Sequence, residues 1–153
     1  MSVGWRPTTI PGVQRRHVAA HPDARGAFSE LWRASTTAGL DGDPFVQANL
    51  STSAAGVLRG LHYHRRQLDQ WIVASGRALV ALVDVRPALE RRGPAVVETR
   101  ELAADGTVTR PIGVAHGFLA LEPLELVYLV TNEYDGWNEL GFALDDPALG
   151  VSW

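Results

Sequence analysis

The stretch Ala78-Leu-Val-Ala-Leu-Val-Asp-Val85 decides the fold. It is apolar on both faces until Asp84, as a strand buried on both sides must be. Just beyond it, Val97-Glu-Thr-Arg-Glu-Leu102 mixes polar and apolar positions like a more exposed strand. One strand is therefore central and the other peripheral. Outward from this pair lie further short apolar runs, at Gln70 to Ala74, Ala95 to Leu102, Thr107 to Ile112, Phe118 to Leu121, Leu124 to Thr131 and Leu140 to Leu144. Between them stand Ser75-Gly76, Arg92-Gly93-Pro94, Asp105-Gly106, Pro123 and Asp135-Gly136, which are turn signals. With 15 glycines and 9 prolines spread along the chain, no helix longer than three turns is expected. Close-spaced strands with little room for crossover helices predict an all-β, antiparallel jelly-roll sandwich or barrel. A helical turn is expected only around 145–149, where Asp146 caps a turn started by Pro147.

Composition narrows the chemistry. All 14 basic side chains are arginine, and the chain has neither lysine nor cysteine. Schiff-base attachment, a phosphate-loop lysine, disulfides and thiolate nucleophiles or ligands are excluded. Catalysis must rest on His, Asp, Glu, Tyr, Arg or a metal. At 153 residues the chain predicts one domain, 1–153, that buries roughly two thirds of its unfolded surface. The net charge of −3 and the absence of a basic block longer than Arg65-Arg66 or Arg91-Arg92 argue against nucleic acid. No run approaches eighteen apolar residues and the start lacks a signal-peptide core, so a cytoplasmic protein with no membrane association is expected.

Six ordered motifs carry more specific information. They are D-A-R-G-A-F-S-E (23–30), Q-A-N-L-S-T-S (47–53), G-V-L-R-G-L-H-Y (56–63), V-D-V-R (83–86), P-I-G-V-A-H-G-F (111–118), and a tail with Tyr128, Tyr134, Glu139 and D-D-P-A-L-G-V-S-W (145–153). In these the chain resembles the dTDP-4-dehydrorhamnose 3,5-epimerase family of the cupin superfamily, from about Val13 to Trp153. The resemblance implies a cupin-type jelly roll, a homodimer, and a dTDP-4-keto-6-deoxyhexose substrate epimerised at C3, C5 or both, with no cofactor. Carried over by position, His62 is the general base, Asp146 orients it, and Tyr128 is the acid. Arg59 then faces the diphosphate, and Gln47 and Asn49 the thymine end. Arg25, Phe28 and Glu30 meet the nucleotide, from the neighbouring subunit if strands are exchanged. His116 and Glu139 match further ligand-contacting positions. The residue types suit these roles, since His titrates where removal of a weakly acidic proton needs its base and guanidinium matches diphosphate. Taken singly, each has a plainer reading: a structural histidine, a core tyrosine, a surface arginine.

The resemblance breaks at one position. Relatives carry a lysine after the base histidine that helps to stabilise the C4 oxyanion, and counting back from Gly76 puts Asp69 there. Loss of one such donor costs on the order of 10²–10³ in rate. Arg65 or Arg66 is the arginine nearest in sequence to replace it. The same segment reproduces the spacing of a metal-binding cupin motif: Gly56, His62-x-His64, Asp69, Gly76, then His116 after Pro111-x-Gly113. With His62 and His64 on one side of a strand, these residues form an alternative three-His, one-carboxylate site for a single divalent transition metal. Arg59-Gly-Leu-His-Tyr-His-Arg65 also resembles the pattern of the smaller sugar 3,4-ketoisomerases. Three readings follow: an epimerase, a metal-dependent cupin enzyme or ketoisomerase, and a nucleotide-sugar-binding module without turnover.

Overall fold

The computed structural model describes residues 4–36, 44–104 and 106–153. The described strands are β1 (Arg6–Pro7), β2 (Gln14–His17), β3 (Ala20–Asp23), β4 (Gly26–Ser29), β5 (Gln47–Ser53), β6 (Leu58–His64), β7 (Asp69–Ser75), β8 (Arg77–Asp84), β9 (Val96–Ala103), β10 (Gly106–Arg110), β11 (Val114–Ala120), β12 (Leu124–Val130) and β13 (Glu139–Gly141). They form a six-stranded sheet in the order β1-β2-β10-β7-β12-β5, a five-stranded sheet in the order β13-β6-β11-β8-β9, and the separate hairpin β3-β4. Neighbours pair antiparallel throughout. This is the all-β jelly-roll sandwich the short apolar runs demand. As expected, β8 lies inside its sheet and β9 at its edge. The motif-bearing strands β5 and β6, more polar than the apolar runs, complete the two sheets. Asp105 lies outside the described residues.

Period-two alternation sorts the side chains into three apolar layers. Ala78, Val80 and Leu82 of β8 face inward with Val73, Val114, Phe118, Leu124 and Leu126, making the core between the sheets. Ala81 and Val83 face outward, where Leu61, Leu149 and Trp153 cover the five-stranded sheet. Ile72 and Leu129 face the other way, under Val18, Leu31 and Phe45. Each such buried aliphatic contributes about 1.5–3 kcal/mol by leaving water.

The helical expectation over 145–149 needs correction. That segment forms turns, in which the Asp146 carboxylate accepts the Ala148 N–H (2.9 Å) and the Asp146 carbonyl the Leu149 N–H (3.1 Å). A cap is present, but Gly150 follows with φ +64° and no helix propagates. The α-helical turn is instead α1 (Arg86–Leu89), with Pro87 in its first turn and the Asp84 carboxylate accepting the Arg86 N–H (3.1 Å). No described helix is long and apolar enough to cross a membrane.

Where β6 meets β11 the ladder shifts register between His116 and Phe118, and the two backbones approach at Gly60 and Gly117. Gly60 has φ +129°, and a Cβ there would lie 2.5 Å from Gly117 Cα and 2.9 Å from the His116 carbonyl. Only glycine fits. This contact sets His62 beside His116, its partner in the ladder. Gly60→Ala is expected to lower stability by about 3 kcal/mol or more, read by urea unfolding.

Candidate active site

A cavity of about 460 Å³ opens between the sheets at the end where the inward-facing residues turn polar. The five-stranded wall supplies Arg59, His62, His64 and His116, and the six-stranded wall supplies Gln47, Asn49, Asp69, Trp71 and Tyr128. Tyr134 and Glu139 close the rim. His62 and His64, two apart on β6, face inward together, while Leu61 and Tyr63 pack on the outer layer.

His62 Nδ1 lies 3.2 Å from Glu139 Oε1, because β13 pairs with β6 in a register that sets Glu139 opposite His64 and Gly141 opposite His62. Glu139, and not Asp146, is the carboxylate at this ring. Asp146 spends one carboxylate oxygen on its own turn and does not line the cavity. Leu144 and Leu149, on either side of it, anchor the tail to the apolar layer on the outer face of the five-stranded sheet. Across the cavity, half-buried Tyr128 sits on β12 opposite Asn49 and Trp71. Burial, reinforced by the charges of Asp69 and Glu139 and opposed by Arg59, raises its phenol above the ordinary value, so it stays protonated.

Beneath the floor lies a buried ion pair. Arg110 Nη2 donates to Asp69 Oδ2 (2.7 Å) across the β10–β7 ladder, with both side chains almost wholly enclosed. The guanidinium also lies over Trp71, 3.8 Å from the ring centroid. Gln67 Nε2 donates to the other Asp69 oxygen (2.7 Å). Burial alone would raise the Asp69 carboxyl. The charge of Arg110 reverses this, with help from His64 and His116, and holds it well below the usual carboxylate range. Burial likewise lowers Arg110 to about 10 against the pull of Asp69. His116 is pushed well below its ordinary value by burial and then by Arg110, with Asp69 opposing, so its ring is neutral.

Of the four metal candidates, the structure gathers three. One donor atom each from His64, Asp69 and His116 lies within 4.8 Å of the others, all three residues being buried. His62 is outside this group, since its Nδ1 is turned to Glu139. Arg25, Phe28 and Glu30 lie on or beside the exposed β3–β4 hairpin, away from the cavity of their own chain. There Arg25 pairs with Asp23 (2.6 Å) and Glu30 with Arg33 (Nε to Oε1, 2.9 Å). Arg65 and Arg66 are exposed and do not line the cavity, where Arg59 is the cationic side chain among the described residues. Sequence reasoning missed Arg110. Its signal was available, because an arginine ending the apolar run Thr107 to Ile112 must meet a carboxylate if that strand is internal.

A family model described as dTDP-4-dehydrorhamnose 3,5-epimerase matches residues 7–153. The chain belongs to that family. It is 34% identical over 148 residues to the spore coat polysaccharide biosynthesis protein SpsL of Bacillus subtilis, covering 94% of this chain and 96% of the relative. Its fold superposes with a TM-score of 0.85 and 30% identity on the dTDP-6-deoxy-D-glucose-3,5-epimerase of Legionella pneumophila, solved with dTDP-4-keto-L-rhamnose, over 99% of this chain and 83% of that one. ChmJ, a 3′-monoepimerase of Streptomyces bikiniensis solved with dTDP-quinovose, gives 0.84 and 29%, over 96% of this chain and 77% of ChmJ. In this chain Asp69 stands on the cavity wall, and the sequence has no lysine.

Removing one member of the ion pair leaves the other charge buried alone. Asp69→Asn should therefore cost about 3–5 kcal/mol at pH 7, whereas Asp69→Leu with Arg110→Met should recover most of it. Because the folded carboxyl titrates below its unfolded value, the stability it confers is complete above the unfolded pKa of about 3.9 and is lost as pH falls towards the folded one. Urea titrations between pH 7 and pH 2 should show wild type converging on Asp69→Asn at the acid end.

Proposed function

We propose that the chain is a dTDP-sugar epimerase, which inverts one or both of the carbons beside the C4 ketone of a dTDP-4-keto-6-deoxyhexose in deoxysugar biosynthesis. The observation that carries this reading is the placing of His62 and Tyr128 on opposite walls of one cavity. Inversion needs a base on one face of the sugar ring and an acid on the other. With Nδ1–H directed at Glu139, His62 presents the lone pair of Nε2 to a C–H beside the ketone. The proton passes to Nε2, the electron pair moves to the C4 oxygen as an enolate, and Tyr128 returns a proton to the carbon from the other side. Glu139 holds the ring in that tautomer and stabilises the imidazolium formed.

The remaining assignments belong to the same proposal. Arg59, whose Nε is held by Ser53 Oγ (3.1 Å), faces the diphosphate. Gln47 donates to Asn49 Oδ1 (2.9 Å) and accepts the Tyr134 N–H (3.0 Å), a braced amide pair suited to the thymine edge. The working form is a cytoplasmic homodimer. Two features support the dimer: among the described strands β5 is an edge paired on one side, and the β3–β4 hairpin carries Arg25 and Phe28 exposed to solvent, within the reach of a second subunit. Light scattering should give twice the chain mass.

The reaction is tested by incubating the protein with dTDP-4-keto-6-deoxyglucose in deuterated water and reading label at C3 and C5. Wild type should incorporate deuterium. His62→Asn should abolish incorporation, Tyr128→Phe should lower net inversion by about 10²-fold or more, and Glu139→Gln should lower kcat by about 10–10²-fold with little change in KM. Wild type that binds dTDP without exchange at either carbon would leave a binding module and overturn the reading.

A further inference from the structure

His64 and His116 line the cavity beside Asp69, where relatives carry a lysine, and the proton transfers above use neither. The contacts that hold these two rings lead to one residue behind the wall. His116 donates its Nδ1–H to the Val114 carbonyl (3.0 Å), which only accepts. The rest of its ring rests on the facing sheet: Nε2 lies 3.6 Å from Asp69 Oδ2, and Trp71 meets the ring edge-on, with centroids 5.2 Å apart at 86°. His64 packs on His116 with centroids 5.4 Å apart, and its Nε2 lies 3.5 Å from the same Asp69 oxygen. Asp69 and Trp71 in turn both depend on Arg110. Its Nη2 donates to Asp69 Oδ2 (2.7 Å), and its guanidinium covers the Trp71 ring at 3.8 Å.

Stability does not account for this arrangement. Arg110 is 1% exposed, yet its Nε and Nη1 have no hydrogen-bond partner among the described residues. Buried donors left unpaired are destabilising, and a buried ion pair is often no more stable than hydrocarbon of the same volume. A leucine and a methionine would fill the space as well. What hydrocarbon would not supply is direction. The second torsion of a histidine side chain is broad, so the ring needs an outside contact to fix its plane. Here one carboxylate oxygen, held at a fixed point by Arg110, stands against both rings of the opposite sheet.

We infer that Arg110 is a positioning residue for the epimerisation: through Asp69 and Trp71 it fixes the rings of His64 and His116 at the cavity wall. The inference rests on the epimerase reading. It gives the two rings the contact with the sugar beside the C4 ketone, on the part of the wall that lacks the lysine, and gives Arg110 the task of keeping them there. Arg110 itself touches no substrate, since it does not line the cavity. A shift of about 1 Å in a group that meets the reacting centre can cost about 10²-fold in rate, so a residue one layer back governs turnover without governing binding.

The test compares the wild type with the double variant Asp69→Leu, Arg110→Met, in which most of the stability is recovered, and with Arg110→Lys, which keeps a cation against Asp69. Turnover of dTDP-4-keto-6-deoxyglucose is read by deuterium incorporation, and nucleotide binding by calorimetry with dTDP. The double variant should lose about 10²-fold in kcat with little change in KM or in dTDP affinity, and Arg110→Lys should recover about tenfold of that loss. A double variant with wild-type kcat would overturn the inference, and so would one in which KM alone changes. In the ligand-free wild type, labelled with ¹⁵N on histidine, the His116 Nδ1–H should give one sharp, slowly exchanging signal. A signal broadened by ring motion would overturn the inference even if the double variant fails to fold. No deuterium exchange by the wild type would overturn the epimerase reading and this inference with it, whereas wild-type exchange equalled by the double variant would overturn this inference alone.

Discussion

Everything in this molecule depends on one geometric constraint: alternate residues of facing strands must share a single interior. At one end that interior is filled by Val80, Leu82, Phe118, Leu124 and Leu126, which need nothing but each other. At the other end the same inward positions hold His62, His64, Asp69, Arg110, His116 and Tyr128. Polar groups there must find partners or face a cavity, because a buried group left unpaired costs about 1–3 kcal/mol and a buried charge more. The cavity exists where the inner faces can no longer be closed with hydrocarbon.

The Asp69–Arg110 pair sits at that boundary and couples fold to site. It lets β7 and β10 run from the apolar end to the polar one without an orphaned charge. Arg110 adds to the burial that depresses the His116 imidazolium, against the pull of Asp69, and Asp69 adds to the forces that keep the Tyr128 phenol protonated. A retained phenolic proton is what the cavity needs to donate from that wall, and a neutral His116 adds no second positive charge beside Arg110. The pair therefore shapes the chemistry even though Arg110 does not line the cavity.

Two carboxylates show how the neighbourhood of a residue is decided. Asp146 stands in a motif that resembles the family pattern, yet a local turn claims one of its oxygens and the apolar residues Leu144 and Leu149 carry its segment to the outer layer. Glu139 comes to His62 because the three-residue strand β13 adds to the free edge of β6. Strand addition at an edge outweighs a motif match, since register is set by a whole ladder of backbone bonds and a side-chain contact by one.

By itself the amino-acid sequence determined the layers of this protein. The two-faced apolarity of 78–85, the mixed run at 97–102 and the glycine and proline punctuation dictate a central strand, an edge strand and an antiparallel sandwich, because side-chain alternation and turn chemistry are local properties. The His62-x-His64 spacing likewise dictates that both rings share a face. Tertiary structure decided the pairings across strands: that Arg110 meets Asp69, that Glu139 meets His62, that His62 leaves the group formed by His64, Asp69 and His116, and that the hairpin carrying Arg25 and Phe28 lies away from the cavity of its own chain. These depend on which strands become neighbours and in what register. That choice is made by the packing of the whole interior, and no local spacing encodes it.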